Sequence, residues 1–94
     1  MKILNVNIPK SKFKDGKLVD QVINENQIDP LTPQTVDGNL VLPFKTAQQI
    51  SLPRNDCNVS YIDDAGKQHN AKAVITYDPD RKYYTVFTTD TSSN

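Results

Sequence analysis

The sequence has no tryptophan, one cysteine, one methionine, one histidine and three glycines among its 94 residues. A single cysteine excludes an internal disulfide, and one cysteine with one histidine supplies two of the four ligands that a structural zinc site requires. The uninterrupted apolar stretches reach about three residues, whereas a membrane-spanning helix needs roughly 18. We therefore expect no membrane association, no metal centre and no other cofactor.

Neither sign of charge dominates, because eleven Lys or Arg residues balance eleven Asp or Glu residues. This balance argues against a dedicated binder of nucleic acid or of an anionic membrane. The charge is nevertheless uneven, since residues 1–17 hold five lysines against Asp15. Lys10, Lys12 and Lys14 suit the solvent face of an edge strand, where lysine deters edge-to-edge pairing. A basic arm is the alternative.

The first residues give no targeting signal. Asn5 and Asn7 interrupt the apolar residues there, and neither a hydrophobic core segment nor a small-residue cleavage site follows. We expect a cytoplasmic or virion location, without secretion by a signal peptide.

The length suits one domain over residues 1–94, because single domains run from roughly 50 to 200 residues. At this size the core is modest, and a homo-oligomer would help to stabilise it.

The composition favours strands over helices. The acidic residues are ten Asp and one Glu, although Asp prefers caps and turns to helix interiors. There are 23 Val, Ile and Thr residues against four Ala, and β-branched side chains suit a pleated sheet. The three glycines lie in turn sequences, of which Asp15-Gly16 and Asp37-Gly38 are hairpin dipeptides.

Between these turns the pattern predicts seven short strands. They lie near residues 2–8, 17–23, 39–44, 48–52, 57–63, 70–77 and 83–89. Residues 17–27 also fit a short helix, because Leu18, Val19, Val22 and Ile23 make a helical stripe as well. Residues 26–35 contain Pro30 and Pro33 and suit a surface loop. The last residues, 88–94, are small and polar enough to fray.

The clearest pattern is a three-stranded meander after residue 57, with turns at Asp63–Gly66 and Asp78–Arg81. Seven short strands with frequent turns predict a mainly β protein, a small antiparallel β-sandwich of Ig-like architecture. A small β-barrel is the alternative.

The residues that carry chemistry are few and scattered, so we do not expect an enzyme. Nucleophilic catalysis needs a base within hydrogen-bond reach, and His69 is the one histidine. We expect Cys57 to be a buried small apolar residue and His69 to be a solvated turn residue. The Asp63-Asp64 and Asp78/Asp80 carboxylates could supply calcium ligands but suit turn formation better, since neither continues into a calcium-binding loop.

Aromatic residues concentrate in the meander. Nucleic acid is an improbable ligand for them, because the neighbouring residues are mainly Asp. Tyr83 and Tyr84 are adjacent, so one should be buried while the other faces outward beside Thr85 or Phe87. Tyrosine supplies a large amphipathic contact area at low entropic cost. We predict a protein-binding surface drawn from Tyr61, Tyr83, Tyr84 and Phe87.

The meander also resembles a known family. Residues 59–67, 73–76 and 83–87, about a third of the chain, resemble the Ig-like N-terminal modules of phage baseplate upper proteins. The resemblance implies a role in a virion or in tail assembly. Together these observations predict a non-catalytic structural or protein-interaction module that binds a protein partner or itself. The alternative is a small inhibitor or adaptor that binds and blocks a host protein.

Overall fold

The computed structural model describes residues 1–50 and 56–93, with side chains as far as residue 89. Its strands are β1 Lys2–Lys14, β2 Lys17–Asn24, β3 Asp29–Pro30, β4 Gln34–Val36, β5 Asn39–Lys45, β6 Asp56–Ile62, β7 Gln68–Asp78 and β8 Tyr83–Ser93. A single 3-10 turn occupies Glu25–Gln27. The predicted mainly β class is confirmed. In this part of the chain no helix is long and apolar enough to cross a membrane.

The strands form one antiparallel sheet that curls into a half-barrel. Their order is β2-β1-β6-β7-β8-β5-β3, and β4 also pairs with β5. The expected pair of packed sheets is thus replaced by one curved sheet, which is nearer to the barrel alternative. Sheets twist naturally, and bulges increase the local twist. Register shifts in β1 and in the β7–β8 ladder introduce such irregularities.

Most predicted strands are confirmed, and the exceptions have physical reasons. Residues 17–24 form a strand along β1, so the helical alternative is wrong, because the second strand of a hairpin gains ladder hydrogen bonds to the first. The strand predicted at 48–52 is absent at residues 48–50, and residues 51 and 52 lie outside the described residues. The predicted loop at 26–35 contains β3 and part of β4, which are too short to show a periodic pattern.

The predicted meander is confirmed as β6, β7 and β8, paired in that order. Strand β7 begins at Gln68, two residues before the predicted start. Strand β8 continues to Ser93, beyond the predicted end at residue 89. The fraying of residues 88–94 stays a prediction.

Two hairpin turns contain the backbone geometry that their sequences predict. Asp15 and Gly16 have φ values of 52° and 77°, and Asp37 and Gly38 have values of 52° and 80°. Positive φ at both central residues defines the type I′ turn, whose twist matches that of the flanking strands. These dipeptides fix the register of the β1–β2 and β4–β5 hairpins.

The core lies on the inner, concave face of the sheet. Alternate residues of each central strand point inward, as in β7, where Ala71, Ala73 and Ile75 are buried. The segment after β5 covers part of this face, where Ile50 is 7% exposed. The backbone N–H of Ile50 donates to the Tyr84 hydroxyl at 3.4 Å, and Gln21 Nε2 donates to the carbonyl of Gln49 at 3.0 Å.

Phe44 and Phe13 offer a matched test of this core. Phe44 is fully buried, whereas Phe13 is 73% exposed. We expect Phe44→Ala to lower the free energy of unfolding by about 3–5 kcal/mol, because it leaves a cavity in the core. Phe13→Ala should change it by less than about 0.5 kcal/mol. Urea unfolding of both variants measures the difference, and equal losses would contradict the assignment of the inner face.

Candidate functional site

The four aromatic residues predicted to bind a partner lie on two different faces of the sheet. Tyr61 is 4% exposed and packs in the core, and Tyr84 packs against the core from β8. Tyr83 and Phe87 follow the opposite alternation and lie on the outer, convex face. The prediction that Tyr83 and Tyr84 point to opposite faces is confirmed. The structure does not bring the four residues together.

Tyr61 and Tyr84 hold the inner face together. The Tyr61 ring stacks on His69 with centroids 5.0 Å apart. The Tyr84 ring lies 5.8 Å from Phe44 and 4.8 Å from Tyr77. Its hydroxyl accepts the Ile50 hydrogen bond described above. These contacts remove Tyr61 from any partner surface and leave Tyr84 chiefly a core residue.

Phe87 lies at the centre of an uncharged area of the outer face, which we call the outer patch. In one row Phe87 is directly paired with Val41 of β5 and Val74 of β7. In the next row Thr85 is paired with Pro43 and Thr76. Val41 is only 6% exposed, whereas Phe87 is 39% exposed. The outer patch is therefore a two-row apolar and neutral surface across three strands.

Tyr83 borders the outer patch and has polar neighbours. It pairs with Asp78 across the β7–β8 ladder, and its hydroxyl accepts a hydrogen bond from Arg81 Nη1 at 3.2 Å. The Asp78 carboxylate also accepts the backbone N–H groups of Asp80 and Arg81 at 3.0 and 3.1 Å. Asp78 therefore stabilises the turn, as its sequence context predicts.

A second exposed surface is the far part of the β1–β2 hairpin, where the sequence singled out the lysines but not the apolar residues beside them. We call residues 8–21 the hairpin arm. Phe13 and Leu18 pair directly on the outer side of the arm and are 73% and 45% exposed. Lys12, Lys14 and Lys17 lie on its other side. The alternation of Phe13 with Lys12 and Lys14 indicates a strand with two different faces. It does not show that the Phe13 ring is exposed, because that depends on how far the arm extends past the core.

The Asp63–His69 pair closes the turn between β6 and β7. One Asp63 oxygen accepts the backbone N–H groups of Ala65 and Lys67, both at 2.9 Å. The other lies 2.7 Å from Nε2 of His69, whose side chain is 13% exposed. The expectation that His69 is a solvated turn residue is therefore wrong. It lies in β7 opposite Tyr61, and stacking on that ring buries it.

The hydrogen bonds of this pair hold the turn between β6 and β7. Nδ1 of His69 is buried and makes no hydrogen bond within the described part of the chain. The hydrogen bonds from His69, Lys67 and Ala65 hold the pKa of Asp63 below its ordinary value. The Asp63 carboxylate thus stabilises the turn, and the turn-forming expectation for it is confirmed.

Cys57 is buried, as predicted, and it is remote from His69. It is 3% exposed, and burial, followed by the nearby charge of Asp56, raises the pKa of its thiol to about 12. Cys57 pairs with Ala73 and Tyr61 pairs with His69, so the two pairs lie four positions apart along the strands. At a rise of about 3.4 Å per residue the two pairs are roughly 14 Å apart along the strands. Among the described residues no group of three or more His, Cys, Asp or Glu side chains could hold a metal ion.

The chain matches no protein-family model, no curated protein and no solved structure. The resemblance to phage baseplate upper proteins rests on the residues of the meander alone. The two exposed surfaces, the outer patch and the hairpin arm, are consequently the features from which a function can be inferred.

Asp63→Asn tests the turn. Because the pKa of Asp63 is lowered by folding, its contribution to stability is complete above the ordinary carboxyl pKa of about 3.9 and is lost as the pH falls through the folded-state pKa. We expect Asp63→Asn to unfold at lower urea concentration than the wild type at pH 7. The gap between the two midpoints should narrow below about pH 4.

Asp80→Asn is the control, because the Asp80 side chain is exposed and makes no ion pair with a described residue. It should unfold like the wild type at both pH values. If the urea midpoints of Asp63→Asn and the wild type differed by the same amount from pH 7 to pH 2, the role of the carboxylate charge would be contradicted.

Cys57 should be chemically inert in the folded protein, because the thiolate is the reactive form and a pKa of about 12 leaves almost none of it at pH 8. We expect alkylation at pH 8 to be about a thousandfold slower than in the same protein unfolded in urea. Reaction rates followed by mass spectrometry measure the ratio. Similar rates in the two states would show that Cys57 is accessible.

Proposed function

We propose that this protein is a non-catalytic structural module that joins neighbouring protein subunits through the outer face of its sheet. The outer patch is the observation that carries the proposal. Its two rows contain no charged residue, and Phe87 keeps more than a third of its surface exposed at the centre. The cores of protein interfaces are depleted in charge and enriched in aromatic residues.

The location of the outer patch on regular strands supports the same proposal. Strands β5, β7 and β8 pair directly, so the patch has a rigid backbone and loses little conformational entropy when a partner binds. Tyr83 and its Asp78 and Arg81 neighbours form a polar border on one side. An apolar centre with a polar rim is the usual anatomy of a protein interface.

The resemblance of the meander to a phage protein family supports a more specific proposal. Two strands that carry the outer patch, β7 and β8, belong to the segment that resembles the Ig-like modules of phage baseplate upper proteins. We therefore propose a component of a virion or of a tail-assembly complex, with neighbouring copies of the chain as the partners. A cytoplasmic or virion location accompanies this role.

Phe87→Ser tests the proposal by the mass of the protein in solution. We expect the wild type to form an oligomer and Phe87→Ser to shift it towards the monomer, because the variant removes the apolar centre of the contact. Light scattering coupled to size exclusion, over a range of concentrations, measures the mass. The thermal midpoint should stay within a few degrees, since the side chain is partly exposed.

Tyr77→Ser is the matched control. Tyr77 is 44% exposed, similar to Phe87, but it lies on the inner face against Tyr84. It should leave the oligomeric mass unchanged. A wild-type protein that is monomeric at every concentration would contradict the structural role and favour the inhibitor or adaptor, which can act as a monomer.

A further inference from the structure

Strand β2 gives the sheet a long and regular open edge. It lies at one end of the strand order and, among the described strands, pairs with β1 alone. It is eight residues long, whereas β3 and β4 at the other end have two and three residues and include Pro30. An edge strand presents a row of backbone N–H and C=O groups to which a further strand can add. Of the two ends of the sheet, the β2 edge is therefore the better template for another chain.

The outer side of β2 adds exposed apolar side chains to this edge. Leu18 and Val22 are 45% and 43% exposed, and Phe13 of β1, which pairs with Leu18, is 73% exposed. A long apolar edge strand of this kind is a site at which chains associate unless something prevents it. Asp20 lies between Leu18 and Val22 on the same side, because alternate residues of a strand share one side. The apolar edge is thus interrupted by one carboxylate.

The Asp20 carboxylate is exposed, fixed and not neutralised. The register of the β1–β2 ladder shifts at this position, so Asp20 faces a bulge in β1. Lys10 lies in this bulge, and its backbone N–H donates to Asp20 Oδ1 at 3.1 Å. Asp20 forms no ion pair with Lys10 or with any other described residue. A negative charge is therefore held at the middle of the open edge.

The position of this charge matters for the pairing of β2 with β2 of a second copy. Two such edges can pair antiparallel about a two-fold axis, which is the commonest symmetry of protein dimers. Outer residues must then lie opposite outer residues, because a slip of one residue would exchange the two faces. The register that sets Leu18 of one copy opposite Val22 of the other brings the apolar side chains together. Residue 20 is midway between them, so this register also sets the two Asp20 carboxylates directly opposite each other.

We propose that Asp20 determines the specificity of assembly by preventing β2 of one copy from pairing with β2 of another. Like charges directly opposite each other in an antiparallel pair are destabilising. A shift of two residues in either direction separates the carboxylates but sets Asp20 opposite Leu18 or Val22, so the apolar contact is lost. This inference goes beyond the proposed function and does not depend on it, because it concerns an edge of the sheet rather than the outer patch.

Asp20→Asn tests the charge. The parent chain carries Phe87→Ser, so that contacts through the outer patch contribute little to the mass. The Asn side chain keeps an oxygen that can accept the Lys10 N–H, so the variant removes the charge and retains the bulge. We expect Asp20→Asn to dimerise about tenfold or more tightly than the parent, because the repulsion between the two edges is gone. Sedimentation velocity over a range of concentrations measures the dimer, and circular dichroism confirms that each chain is folded.

Asp20→Lys, in the same parent chain, distinguishes this role from a purely structural one. The parent alone and Asp20→Lys alone should each remain monomeric, because each sets like charges opposite each other. An equimolar mixture of the two should form a heterodimer, since a lysine then lies opposite Asp20 in the same register. A loss of local stability would affect Asp20→Lys alone as much as the mixture. The heterodimer should weaken as salt rises, because the opposed charges are exposed.

Asp80→Lys is the matched control for net charge. Asp80 is exposed and lies in the turn between β7 and β8, away from β2. A mixture of Asp80→Lys with the parent should contain monomers alone. Leu18→Ser, added to both chains of the Asp20→Lys mixture, should weaken the heterodimer, because it removes the apolar contact and leaves the opposed charges in place.

The outcomes are separate from those that test the proposed function. If Asp20→Asn dimerises no more tightly than its parent, or if the mixture with Asp20→Lys forms no heterodimer, the role of Asp20 is overturned. A heterodimer that forms equally well with Asp80→Lys would also overturn it, since net charge would then suffice. None of these results bears on the outer patch, which is tested by the mass of the wild type and its change in Phe87→Ser.

Discussion

The structure depends on the burial of one face of a single curved sheet. The central strands alternate buried and exposed residues, because successive side chains point to opposite sides of the sheet. The buried apolar side chains of neighbouring strands thus meet on the inner face. Phe44, Ile75 and Val86 from neighbouring strands are fully buried there. A chain of this length has room for one such core. The outer face is consequently left without a covering layer, and the exposed surfaces of the protein follow from this.

The division of faces also places Cys57 and His69. Cys57 and His69 both point to the inner face, where one is buried among apolar side chains and the other is fixed by Asp63 and Tyr61. A buried thiol without a nearby base is a packing group. The outer face presents threonine, valine and phenylalanine in its central rows.

Sequence reasoning succeeded where local chemistry decides the structure. The Asp-Gly dipeptides specified two turns, and alternation in β6, β7 and β8 specified the meander. Sequence reasoning failed where pairing between residues distant in the sequence decides the structure. The helical stripe at residues 17–27 is resolved only by the ladder with β1, and the burial of His69 depends on the opposite position of Tyr61. Similarly, Tyr61 and Phe87 look alike as aromatic strand residues, and only the register assigns them to different faces.

The pairing of β1 with β6 has a consequence for the order in which the fold can form. Lys2 lies opposite Ile62, so this ladder joins residues that are 60 positions apart. Contacts of such long sequence separation slow folding, because the loop entropy is lost before the contacts form. The β1–β2 hairpin is synthesised before β6, and its inner face stays uncovered until β6 pairs with β1. Lysines beside its apolar residues act as gatekeepers in that interval, since repulsion between nascent hairpins opposes their premature aggregation.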